Sequence, residues 1–105
     1  PKAAPLPEAE QMGHYLLVLD GGQPGQRVEV GDAPLLIGRD ASCGFVIADG
    51  QVSRRHCSVE LRFDSAVLTD LGSTNGTFVA GTRIAEPFAL TEGVVFSVGG
   101  HVLQY

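Results

Sequence analysis

The chain has 105 residues, 44% of them apolar, and a formal net charge of −5; that suits one domain with a packed core and is too apolar for a disordered linker. Seven basic residues against twelve acidic ones argue against broad nucleic-acid or membrane binding. Two cysteines, Cys43 and Cys57, are too few for a disulfide scaffold and lack metal or redox spacing, so both are expected as reduced core thiols, with no metal or cofactor.

Pro1–Met12 carries three prolines, no apolar periodicity and no Ser, Thr or Tyr. It reads as a mobile tail or linker, leaving residues 13–105 as the domain. The start at Pro1 suggests a processed chain or part of a longer polypeptide. No apolar run reaches membrane-spanning length and no charged-then-apolar leader is present, which points to a soluble, cytosolic domain.

From His14 onward the pattern is β throughout. His14–Leu19 is a strand, followed by the turn Asp20–Gly25; with no helical pattern after its glycines, that stretch reads as a plain turn rather than a nucleotide loop. Gln26–Val30, Pro34–Ile37 and Phe45–Ala48 are short strands. His56–Phe63 alternates, with Cys57, Val59, Leu61 and Phe63 on one face and His56, Ser58, Glu60 and Arg62 on the other. Asp64 marks a turn into Ala66–Leu71. Thr77–Val79 and Thr82–Ile84 flank Ala80-Gly81 as a tight hairpin, Phe88–Leu90 is short, and Val94–Val98 and His101–Tyr105 flank Gly99-Gly100.

About ten short strands without a helical window predict an all-β, two-sheet antiparallel sandwich or a barrel. The expected core is Leu17, Leu19, Leu36, Phe45, Val59, Leu61, Leu68, Phe78, Val94, Phe96 and Leu103. Sandwich loops gather at the ends and carry function.

Three of those loops hold the chemistry. Val52-Ser53-Arg54-Arg55-His56 places a hydroxyl, two guanidiniums and an imidazole together, and Gly38-Arg39 and Gly72-Ser73-Thr74-Asn75-Gly76-Thr77 lie on either side of it. Guanidinium forks and hydroxyls are natural partners of phosphate, and charge-assisted hydrogen bonds are the strong ones. Arg39, Arg54 and Arg55 fall within seventeen residues in an otherwise acidic chain, which suggests a small anionic ligand.

In order and spacing, Gly38-Arg39, Ser53-Arg54-Arg55-His56 and Asn75-Gly76 resemble the forkhead-associated (FHA) phosphothreonine-binding domain, over roughly His14 to Tyr105. FHA domains are a standing example of phospho-motif recognition by arginine. The resemblance implies an eleven-stranded sandwich with its ligand loops at one end. It implies that Arg39 and Ser53 bind the phosphate, with added contacts from Arg54 and Thr74, and that Asn75 binds the ligand's peptide backbone. Gly38, His56 and Gly76 would support the loops, and Arg55 is read as solvated or at the site's rim. The partner would be a phosphothreonine-containing protein or peptide acting in trans.

Other readings stand beside this one. Asn75-Gly76 is also the commonest type I′ hairpin dipeptide, and Asn75-Gly76-Thr77 matches a glycosylation acceptor. Ser53, His56 and Asp70 are the residue types of a nucleophilic triad, although no nucleophile elbow accompanies them. A phosphate-independent protein-interaction domain would use a sheet face or edge instead.

Overall fold

The computed structural model describes residues 14–62 and 65–105; the expected tail Pro1–Met12, the end of the predicted strand at Phe63 and the turn at Asp64 lie outside them. Eleven strands follow in order: β1 His14–Asp20, β2 Arg27–Val30, β3 Leu35–Gly38, β4 Phe45–Val46, β5 Cys57–Arg62, β6 Ser65–Asp70, β7 Thr77–Val79, β8 Thr82–Arg83, β9 Phe88–Leu90, β10 Val95–Val98 and β11 His101–Gln104. One sheet runs β2-β1-β11-β10-β7-β8 and the other β4-β3-β5-β6-β9. Every pairing is antiparallel except β3 with β4, where Ile37 lies beside Phe45 and Gly38 beside Val46.

The apolar core draws on both sheets: Leu16, Val18, Phe96, Val98 and Leu103 from the first meet Leu35, Ile37, Val59, Leu68 and Leu90 from the second. Val59, Leu68, Phe96 and Leu103 bury as expected, and Phe45, Leu61 and Val94 pack against the core's edge. Four positions, on three strands, are corrected. In β1 the inward residues are Leu16 and Val18, while Leu17 is half-buried and Leu19 is 41% exposed. In β3 Leu35 and Ile37 face inward in place of Leu36. Phe78, expected in the core, is half-buried and opposite Ser97 and Arg83 on the outer side of its sheet. Side chains alternate strictly along a strand, so a one-residue misreading moves the whole set to the other face.

Two hairpins close through two-residue turns whose central residues all have positive φ: Ala80 (+52°) and Gly81 (+78°), then Gly99 (+54°) and Gly100 (+86°). That is the type I′ geometry, whose twist matches the flanking strands. Asn75-Gly76 is different. Gly76 has φ +90°, whereas Ala80 is the only non-glycine with positive φ among the described residues, so Asn75-Gly76 is not a type I′ turn.

The strand directions bring six connections to one end of the sandwich. These are β1–β2, β3–β4, β4–β5, β6–β7, β8–β9 and β10–β11, and the β3–β4, β4–β5 and β6–β7 loops carry the motif blocks.

Candidate functional site

β3 ends on Gly38, which is buried and whose carbonyl accepts the Ile47 N–H at 2.8 Å. A Cβ at Gly38 would overlap the Arg54 carbonyl oxygen and lie 2.8 Å from its carbon and 3.0 Å from Arg55 Cα. Those are backbone atoms, so glycine is what lets the β3–β4 loop lie flat against the β4–β5 loop. The two loops are then joined by main-chain bonds, Arg39 N–H to the Ser53 carbonyl at 2.9 Å and Asp40 N–H to the Arg54 carbonyl at 3.1 Å. Arg39 Nε donates to the Val52 carbonyl at 3.0 Å, which fixes the stem of the side chain. Among the described residues no hydrogen bond or ion pair occupies the terminal nitrogens of Arg39 or the guanidiniums of Arg54 and Arg55, and all three residues are exposed.

His56 ties the β4–β5 loop to the β6–β7 loop. Its ring is 0% exposed. Ser53 N–H donates to Nδ1 at 3.0 Å, and the other ring nitrogen, Nε2, lies 2.8 Å from the Gly76 carbonyl. An accepting Nδ1 leaves the proton on Nε2, so the ring donates to Gly76. The sequence pattern placed His56 on the solvent face with Ser58 and Glu60. That is corrected, because β5 begins one residue later, at Cys57, and the ring enters the interior from the loop.

The remaining joints are direct. Thr74 N–H donates to Ser53 Oγ at 3.1 Å, and Asn75 Nδ2 donates to the Gln51 carbonyl at 2.8 Å and to Gln51 Oε1 at 3.2 Å. Arg39, Ser53, Arg54, Thr74 and Asn75 are therefore neighbours on one rim, with Gly38, His56 and Gly76 beneath it. Arg55 is exposed.

Sequence reasoning missed the brace under the β6–β7 loop. Asp70 Oδ1 accepts from the Ser73 hydroxyl at 2.5 Å and the Thr77 hydroxyl at 2.8 Å, while Oδ2 accepts the N–H groups of Gly72 and Ser73, both at 3.1 Å. Ser73 Oγ in turn accepts Gly76 N–H at 2.9 Å. Burial alone would raise the Asp70 pKa. The bonds from the Ser73 and Thr77 hydroxyls and from the Ser73 and Gly72 amides outweigh it and hold the carboxyl below its ordinary value. Arg83 closes the other side, with Nη2 on the Ser73 carbonyl at 3.0 Å. The available signal was Asp70 three residues before Ser73, a spacing that invites a side chain to cap a turn.

This wiring does not link Ser53, His56 and Asp70 as a nucleophilic triad. His56 uses Nδ1 on the backbone N–H of Ser53, not on its hydroxyl, and Asp70 is bound to Ser73, Thr77 and Gly72. The thiols are equally unsuited to attack: both are free and buried, and burial pushes Cys57 up to about 12. Cys43 Sγ donates to the Arg54 carbonyl at 3.2 Å, adding a tie between the loops.

Among known proteins, the chain is 32% identical over 90 residues to FhaB, an FHA domain-containing protein of Mycobacterium tuberculosis (strain ATCC 25618 / H37Rv); the match covers 86% of this chain and 58% of FhaB. The chain thus spans less than two thirds of that relative. A solved structure from a study of phosphothreonine-dependent FHA domain interactions superposes with a TM-score of 0.79 at 30% identity, covering 88% of this chain and 93% of the other. EmbR of Mycobacterium tuberculosis, solved in complex with a low-affinity phosphopeptide, superposes with a TM-score of 0.78 at 27% identity over 86% of this chain and 23% of EmbR. The FHA domain family itself matches residues 35–99, the span from the strand that ends on Gly38 to the turn at Gly99. By fold, by loop wiring and by that match, this chain belongs to the FHA domain family.

Proposed function

We propose that the domain is a non-catalytic reader that binds phosphothreonine-containing segments of a protein partner through the loops at one end of the sandwich. The observation that carries this reading is the joining of the three loop blocks by named hydrogen bonds while the guanidinium ends of Arg39, Arg54 and Arg55 stay unpaired among the described residues. Arg39 and Ser53 take the phosphate oxygens, Arg54 and Thr74 add contacts, and Asn75 meets the ligand backbone with its remaining amide atoms. Gly38, His56 and Gly76 hold the frame. Hydrogen bonds to charged groups contribute about 1.5–3 kcal/mol each. Three or four of them, after the ordering of a short peptide, leave about 8 kcal/mol, a micromolar Kd.

The ligand comes in trans, or from a distant part of the same polypeptide. Pro1–Met12 has no hydroxyl to phosphorylate, and the domain's own threonines at 69, 74, 77, 82 and 91 sit in strands or loops. Residues 13–105 form the reading domain, 1–12 a linker, and the whole is a module of a longer cytoplasmic protein. Among the described residues no helix is long and apolar enough to cross a membrane. A calorimetric titration compares a threonine peptide, its phosphorylated twin and an aspartate version. Only the phosphorylated peptide should bind, because a planar monoanion cannot replace three oxygens and a charge of about −2. Equal affinity for phosphorylated and plain peptides would refute the proposal.

A further inference from the structure

Asp49 stands between two parts of the fold that the motif blocks do not connect. Its Oδ1 accepts the Gln51 N–H at 2.9 Å and its carbonyl accepts the Val52 N–H at 2.9 Å, so it shapes the tight turn at the tip of the β4–β5 loop. Its Oδ2 lies 3.1 Å from Nε2 of His101, the first residue of β11 in the other sheet. From that turn, Gln51 accepts the Asn75 side-chain amide on both its backbone and its side-chain oxygen. A continuous path of hydrogen bonds thus runs His101–Asp49–Gln51–Asn75 across the mouth of the site.

The His101 ring is held for this contact. Its side chain is 16% exposed, against 37% for Asp49. The first turn after β1 closes over it: a Cβ at Gly21 would lie 2.5 Å from His101 Nδ1 and 2.9 Å from Cγ, and Gly21 has φ +84°. The β10–β11 turn presses on the same loop, since a Cβ at Gly99 would lie 2.7 Å from Val52 Cγ2 and 3.3 Å from the Gln51 carbonyl group.

We propose that His101 is a positioning residue for peptide recognition: by holding Asp49 it sets the Gln51 turn and, through it, the orientation of the Asn75 amide. This rests on the phosphopeptide reading of the site. The side-chain path ends on Asn75; Arg39 joins the same turn only through the backbone, its Nε on the carbonyl of Val52, whose N–H the Asp49 carbonyl accepts. Loss of His101 therefore weakens recognition of the peptide chain and leaves the phosphate subsite as it was. A general loss of stability would lower both together.

The test uses the full chain, His101→Ala and His101→Gln, the last placing an amide nitrogen near the position of Nε2. Side-chain amide resonances of Asn75 are recorded without ligand. Each protein is then titrated with free O-phosphothreonine and with a short peptide carrying one phosphothreonine among alanines and glycines. His101→Ala should shift the Asn75 resonances and weaken the peptide about five-fold, within the range seen for positions along a hydrogen-bonded network. Phosphothreonine affinity should be unchanged, and His101→Gln should restore the peptide affinity. Unmoved Asn75 resonances, an equal loss for both ligands, or a folded His101→Gln that behaves like the alanine variant would each overturn the proposal. Failure of the phosphopeptide reading itself is distinguishable. There the wild-type protein would bind phosphorylated and plain peptides alike, while the Asn75 resonances of the free protein still decide whether His101 orients that amide.

Discussion

Replacing His56 by alanine tests the frame of the site more sharply than replacing any residue on its rim. The ring is fully buried and each nitrogen has one partner, the Ser53 N–H at 3.0 Å and the Gly76 carbonyl at 2.8 Å. In His56→Ala both partners lose their bond, and Gly76 is itself buried. An unsatisfied buried polar group costs about 1–3 kcal/mol, and the vacated ring volume adds a cavity cost unless water fills it. The sum is about 3–5 kcal/mol, a large share of the roughly 5–15 kcal/mol that holds such a domain together. In a chain of this size it corresponds to a fall in Tm of roughly 15–30 °C.

Phosphopeptide affinity should fall as well, because the same two bonds set the distance between Ser53 and the Thr74–Gly76 segment. His56→Gln keeps a donor for Gly76 and loses the acceptor for Ser53, so its Tm should lie between the two. Thermal melts by circular dichroism and calorimetric titrations on the same samples check both claims. If His56→Ala melts within about 3 °C of the wild type and binds normally, the bridge does not hold the loops and the reasoning is wrong.

Arg39→Ala should abolish detectable phosphopeptide binding and cost about 1 kcal/mol or less of stability, since the exposed side chain makes one bond to the frame; melts and titrations on the same samples decide it, and retained binding refutes it. Ser53→Ala should weaken binding less, losing a hydrogen bond to phosphate and the acceptor for Thr74 N–H. Gly38→Ala should cost about 1–3 kcal/mol and weaken binding about ten-fold, because the new methyl presses on the Arg54 backbone; a variant that melts and binds as the wild type would show that the loops have room. Affinity should also fall as pH drops through about 6, where the phosphate dianion takes up a proton and becomes a monoanion. The fold should hold there. Asp40, Asp49 and Asp70 are all depressed below their ordinary value of 3.8, so the stability they contribute is present above that value and is lost only as pH falls through their lower folded values. A melt that collapses between pH 6 and 5 would contradict it.

Strand positions were legible because turn chemistry punctuates this chain so densely. Each predicted strand overlaps an observed one, and both two-residue hairpins fall where Ala80-Gly81 and Gly99-Gly100 announced them. Facing was legible only where polar residues mark one side. In β5, Ser58 and Glu60 identify the outer face, and Cys57 and Val59 are buried as read. In β1, Tyr15 to Leu19 is apolar at every position, and in β3 Leu35, Leu36 and Ile37 are too. Alternation there carries no information, and pairing with the neighbouring strand chooses the face. The rim of the site was legible as residue types in order. Part of its support was not: Arg83 and His101 act through bonds to distant segments that no local pattern encodes, while Asp70 offered only its spacing to Ser73.

The acidic composition bears on how the cationic rim stays free. Asp40, Asp49 and Asp70 lie one in each of the three stretches that build the site, and each accepts the N–H two residues on, from Ser42 at 3.1 Å, Gln51 at 2.9 Å and Gly72 at 3.1 Å. The carboxylates are thus spent on shaping turns, the Asx geometry that short acidic side chains favour. Among the described residues Arg62 pairs with Glu60 and the Asp49 carboxylate bonds the His101 ring, so neither contact engages Arg39, Arg54 or Arg55. A guanidinium already paired to a carboxylate would have to give it up before taking a phosphate. Here no such pair has to break: Asp40 feels the charges of Arg55 and Arg54, but its bond, like those of Asp49 and Asp70, goes to a loop N–H. A chain of net charge −5 thereby keeps one end prepared for a dianion, while the rest of its surface discourages extended polyanions.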